Sequence, residues 1–185
     1  MAKAASLSIR NIGRIRKHLT REAAETLTHA FVTSRIDTCN SLLYGVNNSQ
    51  LDRLQRLQNI AARMITYTKK REHITPVLAQ LHWLPIEQRI LYKICLFVYK
   101  TIKYDSPKYL TDLIQPYTPA RDGLRSSSEQ GLLQEKRFKN GWGDRSFQVA
   151  APKIWNSLPE ATRLSDSLDS FKTNLKTHLY AKAFE

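Results

Sequence analysis

The sequence lacks most of the residue patterns that form catalytic or metal-binding sites. Its only two cysteines, Cys39 and Cys95, lie far apart, which fits neither a disulfide framework nor a zinc knuckle and is typical of a reducing compartment. The five histidines form no His-x3-His pair. There is no Gly-rich phosphate-binding loop, and the acidic residues are scattered rather than paired. These absences predict a chain with no cofactor, no metal and no catalytic centre of its own.

Long apolar segments are also missing. The longest uncharged apolar run, Ile94–Tyr99, lies between two lysines and is far too short to cross a bilayer. The residues after Lys3 include no sustained apolar core of the kind that secretory signals carry. We therefore expect no contact with a membrane, and a protein of the cytoplasm or the nucleus.

Negative charge is scarce. Lys and Arg number 29 against 16 Asp and Glu, which gives a formal charge of +13 and a pI of about 9.9. No acidic residue precedes Glu22. The hydrophobic fraction of 42% is ordinary for a folded protein. Such a charge favours a polyanionic partner, with nucleic acid as the first expectation, although charge by itself says nothing about the fold.

What the sequence does contain is helical periodicity. From Leu7 to Leu19, isoleucines and leucines recur at helical spacing, with Ile9, Ile12, Ile15 and Leu19 as the predicted buried stripe. Helix starts are predicted at Thr20, Ser49, Thr75-Pro76, Leu84-Pro85 and Ser106-Pro107. The helix that starts at Thr20 is predicted to run to about Arg35, with Ala23, Ala24, Leu27, Ala30 and Phe31 facing inward. The predicted fold class is a mainly α, multi-helix domain.

Between residues 117 and 145 glycine, proline and serine interrupt the helical pattern. We predict a loop-rich insert here, with room for a short β-hairpin around Leu132 and Phe138. The predicted organisation is a basic helical region at 1–116, the insert at 117–145, and C-terminal helices at 146–185 that pack on the first region.

Basic helix faces are the candidate binding surface, because each phosphate that a cation contacts releases counterions. Aromatic side chains between these charges could stack on bases, and Trp142, between two glycines, is the best exposed candidate. Trp83 and Trp155 are instead expected in the core. The candidate nucleic-acid-binding residues are Arg14, Arg16, Lys17, Arg21, Arg53, Arg56, Arg63, Lys69, Lys70, Arg71 and Trp142. The alternative for each cluster is a solvated helix face without a ligand.

Several segments, in order along nearly the whole chain, carry a family resemblance. They are Ser34–Asp37, Cys39–Gly45, Leu54–Arg63, His73–Leu78, Leu81–Pro85, Leu124–Ser126, Gly143–Phe147, Ala150–Pro152, Trp155–Pro159, Phe171-Lys172 and Leu175-Lys176. Together they resemble the region after the polymerase core in LINE-type, non-LTR retrotransposon reverse transcriptases, of the jockey-like or chicken-repeat-like clade.

The resemblance implies a thumb-like, nucleic-acid-handling portion of an RNA-directed DNA polymerase, with RNA or an RNA–DNA duplex as ligand. The aromatic-x-Asp-Asp palm motif does not occur in the sequence, so we expect a nonenzymatic fragment of such a polymerase. A second hypothesis stays open, in which the basic faces dock on a palm-containing chain or on an acidic protein.

Overall fold

The computed structural model describes residues 2–118, 131–136 and 143–185, and these residues are mainly helical. The predicted fold class is therefore confirmed. The α-helices are α1 (Ala2–Ile15), α2 (Arg21–Thr28), α3 (Ser34–Asp37), α4 (Asn48–Thr66), α5 (Thr75–Gln80), α6 (Ile86–Tyr104), α7 (Lys108–Thr111), α8 (Phe147–Asn156), α9 (Glu160–Arg163) and α10 (Leu168–Phe184). Short 3-10 turns lie at Arg16–His18, Asn40–Leu43 and Gly143–Arg145, and a π-turn lies at His29–Thr33.

The chain divides into two compact units. Unit 1 comprises Met1–Ile90 with Tyr180–Glu185, and unit 2 comprises Leu91–Leu179. The boundary between the units falls inside the 19-residue α6, which contributes its first turn to one unit and its remaining turns to the other.

The core of unit 1 is built on α1 and α4. Their buried residues are Ala5, Ile9 and Ile12 on α1, and Leu54, Gln58, Ala61, Ala62 and Ile65 on α4. The two helices run side by side in the same direction. Ala2 shares a groove with Leu51 and Leu54, and at the other end Gly13 lies so close to α4 that a Cβ there would meet Met64 Sδ at 3.6 Å. The C-terminal end of α1 therefore packs against the C-terminal end of α4.

Helix α2 begins at a side-chain cap. Thr20 Oγ1 accepts a hydrogen bond from the Ala23 N–H at 3.2 Å, which confirms the predicted start. We expect Thr20→Ala to lower the free energy of unfolding by about 1 kcal/mol, since the Ala23 N–H loses this partner. Urea unfolding followed by circular dichroism measures the change. Thr26→Ala, on the exposed side of the same helix, is the matched control and should be neutral or slightly stabilising. Equal losses in the two variants would contradict the capping role.

The segment after α2 departs from the prediction. Ala24, Thr28, Val32 and Ile36 are buried, while Ala30 is exposed and Phe31 is 48% exposed, so the prediction that these two face inward is wrong. The reason is the π-turn at His29–Thr33, which widens the helix and keeps residues four apart on one face. A regular period of 3.6 residues would have turned Phe31 toward the core.

Three other helix starts lie close to their predicted positions. Asn47 caps α4, where its Oδ1 accepts from the Ser49 N–H at 3.1 Å, so the cap lies two residues before the predicted Ser49. Helix α5 has Ile74 at its N-cap, one residue before the predicted Thr75. At the start of α6, Gln55 Oε1 accepts from the Ile86 N–H at 2.9 Å, which ties this helix end to α4.

The core of unit 2 centres on aromatic side chains. The rings of Tyr99 and Phe171 stack at 4.2 Å between centroids, and Trp155 lies 5.7 Å from Phe171. Trp155 Nε1 donates to Gly131 O at 2.8 Å, so its polar edge is satisfied. The predicted burial of Trp83 and Trp155 is confirmed, and Phe171, Leu175 and Leu179 on α10 are buried as well.

Part of the predicted loop-rich insert is described. Pro116 and Leu133 form a single antiparallel bridge, and Tyr117 N donates to Leu132 O at 3.0 Å. Leu132 thus pairs with the chain just after α7, while Phe138, the other residue of the predicted hairpin, lies outside the described residues. Within the described part of the chain, each helix is too short or too polar to cross a lipid bilayer.

Candidate nucleic-acid interface

Helix α1 carries one exposed basic face. Lys3, Arg10 and Arg14 are exposed on the side away from Ala5, Ile9 and Ile12, and Lys17 is exposed in the 3-10 turn that follows. Arg21 is exposed at the start of α2. The structure thus leaves three of the four candidate residues of this region, Arg14, Lys17 and Arg21, accessible to a ligand.

Arg16 is the exception, and the prediction that it lies on the exposed face is wrong. Its side chain is only 6% exposed. The guanidinium donates to the carbonyls of Met64 at 3.1 Å, Leu19 at 2.8 Å and Ile65 at 2.6 Å. Met64 and Ile65 belong to the last turn of α4, where backbone carbonyls have no partner within the helix and the helix dipole favours a cation. Arg16 is therefore buried between the ends of α1 and α4 and links them through these hydrogen bonds.

The sequence did contain a signal for this burial. At about 100° per residue, Arg16 lies only about 20° around the helix from Ile9, whereas Ile15 lies about 120° away. Ile15 is accordingly 47% exposed, and the buried stripe of α1 continues into Arg16 instead. The prediction placed Ile15 rather than Arg16 in the buried stripe because apolar residues are usually buried. An arginine can nevertheless be buried when its N–H groups donate to carbonyls.

Helix α4 presents a second basic face, which we call the α4 row: Arg53, Arg56, Ile60 and Arg63. These residues fall within an arc of about 80° at the helical period, on the side opposite the buried residues. Arg53 and Arg56 are exposed, and Ile60 is 51% exposed between the arginines. The α4 row therefore combines positive charge with a patch of exposed apolar surface.

The segment Thr68–Glu72, which we call the basic loop, follows α4 directly and contains Lys69, Lys70 and Arg71. Arg63 of the α4 row holds this loop, since its guanidinium donates to Lys69 O and, at 2.7 Å, to Glu72 O. The loop also closes on itself through Glu72 N donating to Lys69 O at 3.2 Å. All three basic side chains of the loop are exposed. Arg63 thus has a structural role in addition to its predicted contact with phosphate.

Tyr67 joins the end of α1 to the basic loop. Its hydroxyl donates to Arg16 O at 3.2 Å, and Arg16 Cζ lies 4.3 Å from the centre of its ring. The end of α1, the last turn of α4 and the basic loop therefore meet around Arg16 and Tyr67. Arg16 and Tyr67 are thus in contact although they are far apart in sequence. Arg53 and Arg56 lie further back along α4.

None of the candidate cations forms an ion pair with an acid among the described residues. The ion pairs there are Arg89–Asp37 and Lys172–Asp169, and neither includes a candidate residue. Glu72 is the one acidic residue of the basic loop, and its carboxylate accepts from the Lys69 N–H at 3.4 Å rather than from an ammonium. The candidate cations are therefore not held in direct ion pairs within the described chain.

Trp142, the candidate aromatic residue for base stacking, lies outside the described residues.

Cys39 and Cys95 are both free thiols, and burial raises the pKa of Cys95 to about 12, so this thiol stays protonated and poorly nucleophilic at neutral pH. In the described ranges no group of three or more His, Cys, Asp or Glu residues is arranged to hold a metal ion.

Comparison of the chain with protein-family models, with curated proteins and with solved structures found no match.

Proposed function

We propose that this protein binds RNA or an RNA–DNA duplex through its phosphates, without catalysing a reaction and with little base specificity. The observation that carries the proposal is the set of exposed basic side chains on α1, the α4 row and the basic loop of unit 1, none of which forms an ion pair with an acid among the described residues. Exposed cations gathered in one region are the electrostatic footprint of nucleic-acid binding.

The dimensions of this surface suit a polynucleotide strand. From Arg53 to Arg63 the α4 row is about 15 Å long, at about 1.5 Å per residue. One strand of a duplex rises about 3.4 Å per nucleotide, so this length corresponds to about four nucleotides. The basic loop extends the charge beyond the end of the helix. About four to six phosphate contacts are therefore available to a single strand.

The family resemblance supports the same ligand class. It implies a region that handles RNA and DNA next to a polymerase palm, and a palm-containing chain is then the expected protein partner. Because the sequence has no palm motif, primer extension by this chain with magnesium should give no product. Extension of a primer would contradict the proposal that this chain does not catalyse a reaction.

Binding across a salt series tests the proposal directly. We expect the affinity for a 20-nucleotide RNA, measured by filter binding, to fall steeply between 50 and 200 mM salt. With four to six contacts, the slope of log K against log salt should be about −3 to −5, at about −0.7 to −0.9 per phosphate. An affinity that does not change with salt would overturn the proposal.

A competition experiment separates nucleic acid from an acidic protein as the ligand. Polyglutamate carries negative charge without phosphates or bases. If the proposal holds, it should displace the RNA much less effectively than unlabelled RNA of the same total charge. Equal competition would instead favour the docking hypothesis, in which the basic faces bind an acidic protein.

A further inference from the structure

We infer that Tyr67 is a stacking platform for one unpaired nucleobase of the bound strand. The inference rests on the proposed function and deepens it, since it names unpaired bases as the part of the ligand that this surface selects. Tyr67 is 65% exposed at the junction of α4 with the basic loop.

The ring of Tyr67 is held in position before any ligand binds. The Arg16 guanidinium lies over the ring with its Cζ at 4.3 Å from the centre, and the hydroxyl donates to Arg16 O. Arg16 itself is anchored by its three bonds to backbone carbonyls. With the guanidinium over one side of the ring and the residue 65% exposed, we expect the opposite side of the ring to be open to a base. An aromatic side chain fixed in this way loses little conformational freedom when a base stacks on it.

The backbone at Tyr67 supports a role for the ring. Tyr67 ends α4 with φ at 56°, in the left-handed region. A non-glycine residue there costs about 1–2 kcal/mol, and glycine is the usual residue at such a helix end. A tyrosine in this conformation that is 65% exposed contributes little to a buried core. Residues held in sparsely populated conformations cluster at functional sites.

The surroundings of the ring define the ligand. Tyr67 is preceded in sequence by Arg63 and followed by Lys69 and Lys70, each within a few residues. The phosphates on either side of a stacked base would therefore find cations. The bases of a blunt duplex are covered by their neighbours, whereas a single strand or an overhang presents a free π-face. The chemistry therefore selects an unpaired base, in RNA or in DNA, next to backbone phosphates.

The test uses oligonucleotides that contain 2-aminopurine, whose fluorescence falls when it stacks on an aromatic ring. The full chain should quench a single-stranded 2-aminopurine probe, and Tyr67→Leu should abolish this quenching and weaken binding by about 5- to 150-fold, as expected for one base–aromatic stack. Tyr67→Phe, which keeps the ring, should quench as the unsubstituted chain does. Parallel RNA, DNA and blunt-duplex probes show which strand is preferred, and the blunt duplex should be insensitive to Tyr67→Leu.

The outcomes distinguish this inference from the proposed function. Salt-dependent binding that Tyr67→Leu leaves unchanged, with quenching retained, would overturn the stacking role and leave phosphate binding intact. An absence of binding to every probe at low salt would remove the proposed function and the inference with it. Tyr67→Gly is the second variant if Tyr67→Leu unfolds, since glycine accepts the left-handed backbone and also lacks the ring. Circular dichroism checks the fold of each variant.

Discussion

Replacing Arg53, Arg56, Lys69, Lys70 and Arg71 together with glutamine is expected to weaken RNA binding by at least about 100-fold at 50 mM salt, which corresponds to about 2.8 kcal/mol. All five side chains are exposed and none has an acidic partner among the described residues. Each lost phosphate contact also removes a share of the counterion release. The slope of log K against log salt should therefore become shallower by about 3 to 4.

A matched variant shows whether position or only total charge matters. Unit 2 also has five exposed basic side chains, those of Lys103, Lys108, Arg145, Lys153 and Lys176. Their replacement with glutamine changes the net charge by the same amount but should lower affinity only several-fold, through the weaker overall field. Equal losses in the two variants would mean that the surface of unit 1 has no special role.

Arg63 is left out of the five-residue variant for a structural reason. Its guanidinium holds the basic loop through Lys69 O and Glu72 O. A loss of affinity on its removal could therefore come from the loop as well as from the missing charge. Keeping Arg63 makes the five substitutions a test of charge alone.

Arg16→Met is expected to lower the free energy of unfolding by about 3 kcal/mol, since it leaves three backbone carbonyls without their charged donor. Two of these carbonyls, those of Met64 and Ile65, lie at the end of α4, where the helix itself supplies no replacement. Methionine fills a similar volume, so the lost hydrogen bonds rather than an empty cavity dominate the effect. Urea unfolding followed by circular dichroism measures the loss.

Arg14→Met is the control for this prediction. Arg14 is exposed on the same helix, so the same chemical change there should alter the unfolding free energy by less than about 0.5 kcal/mol. We therefore expect Arg16→Met to change the unfolding free energy and Arg14→Met to change only the salt-dependent affinity for RNA. A stable Arg16→Met variant with a shallower slope of log K against log salt would instead indicate that Arg16 contacts the nucleic acid.

Much of the helical architecture follows from local sequence. Thr20 and the prolines at Pro76 and Pro85 mark helix starts to within a residue or two, because capping and the missing proline N–H act on neighbouring backbone groups. The stripe Phe171, Leu175 and Leu179 indicates the buried face of α10 for the same local reason. Phe31 could not be placed in this way, because a π-turn changes the helical period without a distinctive sequence.

Only part of the candidate interface can be predicted from the sequence. Basic residues can be counted and placed on helix faces, which identifies Arg53 and Arg56 as exposed. The sequence alone does not indicate that the carbonyls at the end of α4 are the partners of Arg16, since Arg16 and Ile65 are distant in the chain. For the same reason the hydroxyl of Tyr67 could not be assigned to Arg16 O, and Tyr67 was one aromatic residue among several.

The amino-acid sequence by itself determined the helical class, the excess of positive charge and the lack of metal-ligand and phosphate-loop patterns, because these depend on composition and on residues within a few positions of one another. Only the tertiary structure decided which arginines remain free to meet a ligand. The parallel packing of α1 on α4 brings the carbonyls of one helix end to Arg16, and a buried guanidinium that is satisfied by three carbonyls is no longer available to a phosphate. The same packing leaves Tyr67 and the basic loop exposed beside it.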